Sequence, residues 1–135
     1  MWNRIQHWWQ EQARKQVMQS VIAPVEPIDI IRADGLAEHD VLAQVDLLQE
    51  MSRIDAALAK ELGIYQPETV NERKEIVDSL GKKMLADVIP VSFTIQGQER
   101  SSRWVVVDRS TEMHLVTLSK RDVEDFYIFV QPAQQ

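Results

Sequence analysis

The strongest pattern in the chain is the helical spacing of apolar residues between positions 36 and 62. One row recurs at intervals of three or four residues, as expected for one face of an α-helix, and consists of Leu47, Met51, Ile54, Leu58 and Leu62. A second row widens the face and consists of Val41, Val45 and Leu48, joined by Leu42. Gly63 follows at the position that favours a helix C-terminus. We therefore predict a long helix over residues 36–62.

A second helix is predicted after a short connection. Thr69 and Glu72 have the spacing of a capping box, which satisfies free amides at a helix start. The buried stripe of this helix would comprise Ile76, Val77, Leu80, Met84 and Val88. Gly81 in its middle costs about 1 kcal/mol relative to alanine and suggests close packing against a neighbour. Two helices joined by a short loop predict an antiparallel helical hairpin over residues 36–88.

The apolar period changes from about 3.6 residues to two after Pro90. Strands are predicted around residues 91–95, 102–108 and 113–119, with a hairpin connection at residues 97–100. These strands would form an antiparallel meander. For the tail we favour a helical turn at 119–124 followed by a fourth strand that ends before Pro132. A continuous helix remains the alternative, because Val123, Phe126, Tyr127 and Val130 also have helical spacing.

Three of the four tryptophans lie within the first nine residues of the chain. Trp2, Ile5 and Trp9 share one face of a predicted amphipathic helix, and Trp8 lies beside them. Large exposed apolar groups are uncommon on a soluble surface unless something covers them. We therefore interpret these four residues as a candidate interaction surface.

The resulting fold class is α+β, in a single domain over residues 1–135. It comprises an N-terminal amphipathic helix (1–20), an extended connection (21–35), a long antiparallel helical hairpin (36–88) and a three- or four-stranded antiparallel meander sheet (89–131). The prolines in 21–35 favour an edge strand or a linker there, because proline lacks an amide donor.

Both faces of the predicted sheet carry large apolar groups. A sheet with one face in water alternates apolar and polar residues, whereas Trp104 and Val106 lie opposite Val105 and Val107. The helical hairpin would cover only one face. The N-terminal helix or a second copy of the chain would cover the other. Trp104, His114 and Tyr127 are candidates for that second face, or for a pocket between sheet and helices.

Composition excludes several classes of function. The chain has no cysteine, so thiolate catalysis and cysteine-ligated metal sites are excluded. A net charge of −6 argues against general binding to nucleic acid, which requires clustered lysine and arginine. The histidines lack metal-ligand spacing, and no nucleophile motif or glycine-rich phosphate loop is present. We therefore predict no catalytic residue, metal site or cofactor.

The leading functional hypothesis is a small non-enzymatic interaction or regulatory protein of bacterial type. It would act in the cytoplasm through protein–protein contacts, with itself as a homodimer or with another protein. One alternative is a small-ligand-binding domain or small enzyme with a pocket lined by Trp104, His114 and Tyr127. A second alternative is peripheral membrane association through the N-terminal helix, whose tryptophans and basic residues suit a lipid surface.

Overall fold

Strands, rather than helices, form about half of the residues that the computed structural model describes, which are 21–78 and 80–128. The strands are β1 (Val21–Ile22), β2 (Val25–Ile31), β3 (Ala37–Asp46), β4 (Arg53–Asp55), β5 (Arg73–Val77), β6 (Lys83–Ile95), β7 (Gln98–Val107), β8 (Val116–Ser119) and β9 (Tyr127–Ile128). The helices described are α1 (Ala56–Glu61) and α2 (Lys120–Val123), with a 3₁₀ turn at Pro67–Thr69.

Six of these strands close into a barrel. Their order is β2-β3-β8-β4-β7-β6, and a β2–β6 pairing of Asp29 with Thr94 and Ile30 with Phe93 completes the ring. The pairs β3–β8 and β4–β7 are parallel, and the others are antiparallel. Strand β5 lies outside the ring and pairs with the first part of β6. Strands β1 and β9 form a separate parallel pair.

The barrel interior is organised around two aromatic residues. Trp104 on β7 and Phe93 on β6 are buried, and their ring centroids lie 5.2 Å apart. The indole Nε1 of Trp104 donates to Ser102 Oγ at 2.8 Å, so its polar atom is satisfied. Ile54, Val116 and Leu118 belong to the same buried cluster. This core fixes the strand ends that carry the candidate site.

The predicted helix over 36–62 is wrong. Its first part is β3, in which Ala43 is buried between the exposed side chains of Leu42 and Gln44. Only the six residues of α1 are helical. Within β3, Val41, Ala43 and Val45 fit a period of two, and closure of the barrel selects that period through partners distant in sequence. Gly63 does follow α1 with a φ of 75°, as predicted for a helix C-terminus.

The second predicted helix is also wrong, and with it the helical hairpin over 36–88. The segment forms β5, a turn and the first half of β6. Gly81 lies in that turn with a φ of 80°, where glycine is favoured. Asp78 accepts hydrogen bonds from the amides of Leu80 and Lys82 across the turn. The α+β class is therefore corrected to a β-barrel with short helices.

The predicted sheet is partly right. The β6–β7 hairpin is confirmed, although its turn lies at Gln96 and Gly97, just before the predicted connection. The three- or four-stranded meander is wrong, because β4 lies between β7 and β8. The predicted extended connection (21–35) contains β2. This strand is one of the six strands of the closed barrel and is not the edge strand that we expected. A helical turn followed by a strand is confirmed in the tail as α2 and β9, and β9 pairs with β1.

The predicted N-terminal helix over 1–20 lies outside the described residues. Within 21–78 and 80–128, no helix is long and apolar enough to cross a membrane.

Candidate functional site

A carboxylate marks the point where two parallel strands end side by side. Asp46 ends β3 next to Ser119, the last residue of β8. Its carboxylate accepts the amide N–H of Leu48 at 3.0 Å and the side-chain amide of Gln49 at 3.4 Å. Both donors belong to the loop that follows β3, residues 47–52, which we call the β3–β4 loop. Asp46 is thus held half-buried by its own loop.

Two leucines follow this carboxylate directly. Leu47 is exposed, and Leu48 is 95% exposed. Exposed leucine beside a half-buried aspartate is an apolar surface with no partner among the described residues.

Beneath the β3–β4 loop lies a buried polar cluster. Ser52 Oγ donates to the carboxylate of Asp122 on α2 and accepts the amide N–H of Ser119 at 2.9 Å. All three residues are buried. Buried polar groups are costly unless they are hydrogen-bonded. This cluster therefore fixes the end of the loop to the barrel.

The loop and β5 form the two walls of a groove. Glu50 and Lys74 form an ion pair across it at 2.9 Å, and Arg53 Nη1 donates to the carbonyl of Val77 at 3.3 Å. Cavities of about 390 and 250 Å³ lie along this groove, and Gln49, Arg53, Ile76 and Val77 line both. The larger cavity extends to the β5–β6 turn and to residues 107–112.

The groove-facing edge of β5 has backbone groups that do not bond to β6, and among them the Val77 carbonyl is bonded to Arg53. Asp78 N–H bonds to the carbonyl of Lys82, and Val88 N–H bonds to that of Glu72. In an antiparallel ladder, only alternate residues bond to a given neighbour. The even-numbered residues of β5 therefore bond to β6, and the backbone groups of Arg73, Glu75 and Val77 face away from it. The bond from Arg53 to the Val77 carbonyl places this outer edge along the groove.

Two arginines, Arg53 and Arg109, line the larger cavity. Asp55 accepts the amide N–H of Arg109 at 2.7 Å, and Arg109 Nε donates to the carbonyl of His114 at 2.9 Å, so Arg109 is anchored beside the barrel end. Burial, and then the nearby charge of Arg109, lower the pKa of Arg53 below its ordinary value. Asp46 acts in the opposite direction on that pKa. The two guanidinium groups therefore repel each other, and Asp46 offsets part of that effect at Arg53.

A metal centre has no support in the part of the chain that the structure describes. No three histidine, aspartate or glutamate side chains there are arranged to hold an ion. The expectation that the protein uses no cofactor remains a prediction.

The three residues predicted to line a pocket do not lie in one described environment. Trp104 is in the barrel core, and His114 is half-buried in the connection from β7 to β8. Tyr127 belongs to β9, and its side chain lies outside the described residues. The pocket remains a prediction. The candidate interaction surface of Trp2, Ile5, Trp8 and Trp9 also lies outside the described residues, as does the predicted membrane contact.

Sequence reasoning missed the groove itself. Asp46, Gln49 and Arg53 lie in the segment predicted to be a helix, and Arg109 is not among the predicted site residues. One available signal was Gly81, which suits a hairpin turn better than a helix interior.

Comparison with solved structures assigns the architecture. The sequence matches no protein-family model, and no curated protein matches it. Solved structures do match. The chain has a retropepsin-like fold.

One similar structure is a retropepsin-like aspartic protease from Rickettsia conorii, 18% identical, with 79% of this chain and 84% of that chain covered and a TM-score of 0.52. A Legionella pneumophila protein of unknown function (DUF785) is 14% identical, with 85% and 94% covered and a TM-score of 0.51. The protease of simian foamy virus is 16% identical, with 74% and 91% covered and a TM-score of 0.50. At such identities the likeness shows the fold alone.

Proposed function

We propose that this protein binds an extended polypeptide segment as an added strand along the outer edge of β5. The observation that carries the proposal is the row of outward backbone groups on Arg73, Glu75 and Val77, which faces the groove opposite the β3–β4 loop. Strand addition to a free sheet edge supplies affinity through backbone bonds, while side-chain pockets supply specificity. Two of the structurally similar proteins are proteases, a class that acts on polypeptides.

Both walls of the groove suit such a ligand. Ile76 and Met84 contribute apolar surface to the larger cavity, whereas Gln49, Arg53 and Arg109 contribute polar groups. Ligand sites commonly combine apolar lining with a few placed polar groups. An extended segment presents side chains alternately to each wall.

We favour peptide binding without hydrolysis over peptidase activity. Aspartic proteases need two carboxylates close enough to share a proton. Within residues 21–78 and 80–128, the hydrogen-bond partners of the Asp46 carboxylate are Leu48 and Gln49, and neither is acidic. No second carboxylate is therefore bonded to that of Asp46 among the described residues.

The second candidate function is an aspartic peptidase assembled from two copies of the chain. It is favoured by the exposed apolar side chains of Leu47 and Leu48 directly after Asp46. A symmetric dimer that buried these leucines would bring the two Asp46 carboxylates towards each other, because a two-fold interface repeats the same surface on both subunits.

Replacement of Glu75 by proline tests the strand-addition proposal. Proline removes the outward amide of residue 75 and leaves the bonds of its even-numbered neighbours to β6 in place. Glu75→Ala is the matched control, because it removes the same carboxylate and keeps the amide. Both variants are first checked by circular dichroism and thermal unfolding.

The binding probe is a phage-displayed library of random ten-residue peptides. We expect enriched peptides to bind the wild type and Glu75→Ala similarly, and to bind Glu75→Pro at least about tenfold more weakly, as for the loss of one backbone bond in a desolvated site. Equal binding by folded Glu75→Pro would contradict the proposal, and so would a library with no enriched peptide.

Incubation of the enriched peptides with the wild type and with Asp46→Asn separates the two functions. Mass spectrometry that finds the peptides intact supports binding alone. Cleavage that requires Asp46, together with a dimer in size-exclusion chromatography with light scattering, supports the peptidase.

A further inference from the structure

The larger cavity of the groove holds two guanidinium groups with unused donors. Arg53 and Arg109 both line this space of about 390 Å³. Arg53 uses one Nη1 bond to Val77, and Arg109 uses Nε on His114. Each guanidinium has five N–H donors in a planar fork. Most of these donors remain for a ligand.

Neither arginine forms an ion pair with another described residue. The ion pairs within 21–78 and 80–128 involve Arg32, His39, Arg73, Lys74, Lys83, Arg100 and Arg103 as the basic partners. Half-buried arginines in a cleft commonly serve planar recognition of a carboxylate or phosphate.

Two of the acidic side chains that line the cavity are already engaged. Asp78 accepts the amides of Leu80 and Lys82, and this holds it to the β5–β6 turn. Asp108 accepts both the amide and the hydroxyl of Ser110, which lowers the pKa of Asp108. Glu112 is the remaining acidic lining residue and is exposed. Asp78 and Asp108 keep their negative charge, but the donors they accept are not guanidinium groups, so the free donors of Arg53 and Arg109 remain open to a ligand.

The lowered pKa of Arg53 agrees with this geometry. It arises from burial first and from the charge of Arg109 second, and both effects disfavour the charged guanidinium. A ligand carboxylate between the two arginines would offset both effects.

We propose that Arg53 and Arg109 together bind a carboxylate of the polypeptide ligand, so that the groove selects acidic peptides. This inference rests on the proposed function and names its ligand class. General electrostatics would give the opposite preference, because the protein carries a net charge of −6 and repels acidic chains. A measured preference for acidic peptides would therefore arise from local contacts with the two arginines and not from the net charge of the protein.

Three synthetic pools of labelled decapeptides test the inference. All are random outside one fixed central residue. The first pool has central glutamate and an amidated C-terminus, the second has glutamine and an amidated C-terminus, and the third has glutamine and a free C-terminal carboxylate. Fluorescence anisotropy measures binding of each pool to the full chain at one ionic strength.

We expect the glutamate pool to bind about tenfold or more tightly than the amidated glutamine pool, as for charge-assisted bidentate bonds. If the free-carboxylate pool binds as tightly, the site recognises a carboxylate from a chain terminus as well. Equal binding of the two amidated pools overturns this inference and leaves the proposed function standing. If no pool binds, both are overturned.

Variants at Arg53 test whether this residue causes the preference for glutamate over glutamine. Arg53→Gln should reduce the glutamate-to-glutamine ratio to about one, and Arg53→Lys should keep part of it, because lysine retains the charge and loses the fork. Lys60→Gln is the control of equal charge change, since Lys60 is exposed and lies outside the lining of both cavities. If part of the sample is unfolded, the apparent affinities for both pools fall equally, so the glutamate-to-glutamine ratio is unchanged. An unchanged ratio in Arg53→Gln would overturn the assignment.

Discussion

The barrel and the β5–β6 hairpin solve the problem of exposed strand edges in different ways. In the barrel each of the six strands has neighbours on both sides, and closure removes the free edges. In the hairpin β5 has only β6 as a neighbour, and its other edge faces the groove. The barrel hides Trp104 completely, whereas Leu80 at the hairpin turn is 90% exposed. The barrel thus supplies the buried core, and the hairpin supplies the edge at which we propose that a polypeptide binds.

The largest expected effect is the loss of the aromatic centre of the barrel. Trp104→Ala should lower the free energy of unfolding by about 3–5 kcal/mol, because it removes a buried aromatic ring and leaves a cavity. Urea unfolding followed by circular dichroism measures the change. A loss below about 1 kcal/mol would show that the barrel core is not the source of stability.

The second-largest effect on stability is expected at the buried polar cluster that fixes the β3–β4 loop to the barrel. Ser52→Ala should cost about 1–3 kcal/mol, because it leaves the buried oxygen of Asp122 and the amide of Ser119 without their partner. Ser92→Ala is the matched control, since Ser92 is an exposed serine bonded to Ser101. Equal urea midpoints for the two variants would contradict the structural role of the cluster.

A smaller effect is expected where the hairpin leaves the barrel. The hydroxyl of Tyr65 donates to Asp87 at 2.7 Å, and this bond raises the pKa of Tyr65 from 10.0 to about 12. Tyr65→Phe should cost about 1 kcal/mol at neutral pH.

The raised pKa also fixes the sign of a pH dependence. The folded state keeps the Tyr65 proton at a pH where the unfolded chain has lost it, so this contribution to stability is complete below pH 10 and is lost as the pH rises towards about 12. Absorbance titration should show that Tyr65 loses its proton at a pH well above its ordinary pKa, and Asp87→Asn should lower the pKa of Tyr65 towards 10. If Tyr65 in the wild type titrates with the ordinary pKa of tyrosine, the hydrogen bond to Asp87 is disproved.

The smallest effect is expected at the hairpin turn. Leu80→Ser should change the free energy of unfolding by no more than about 0.5 kcal/mol, since this side chain is already in water. Leu118→Ser, inside the barrel, is the contrasting variant and should be strongly destabilising. Comparable losses would mean that the hairpin and the barrel do not differ as described.

Local signals in the sequence predicted local structure correctly. Alternation on both sides of Gly97 gave the β6–β7 hairpin, whose strands are joined by two residues. The turn followed by a strand at the tail and the position of Gly63 were predicted for the same reason. Each depends on residues only a few positions apart.

The barrel was not predictable in this way because its defining pairs are distant in sequence. Ala43 pairs with Val116, and Ile30 pairs with Phe93. Nothing near Ala43 indicates those partners, so the local pattern favoured a helix. The groove has the same origin, since Arg53 and Arg109 belong to separate segments that meet only after the strands close.

The short parallel pair of β1 and β9 places the entry to the barrel beside its exit. Val21 pairs with Tyr127 and Ile22 with Ile128, so the backbone positions 21 and 128 lie within about 10 Å of each other by strand geometry. Domains fused ahead of Val21 and behind Ile128 would emerge at adjacent points. A pair of fluorophores attached there would report when the two ends separate.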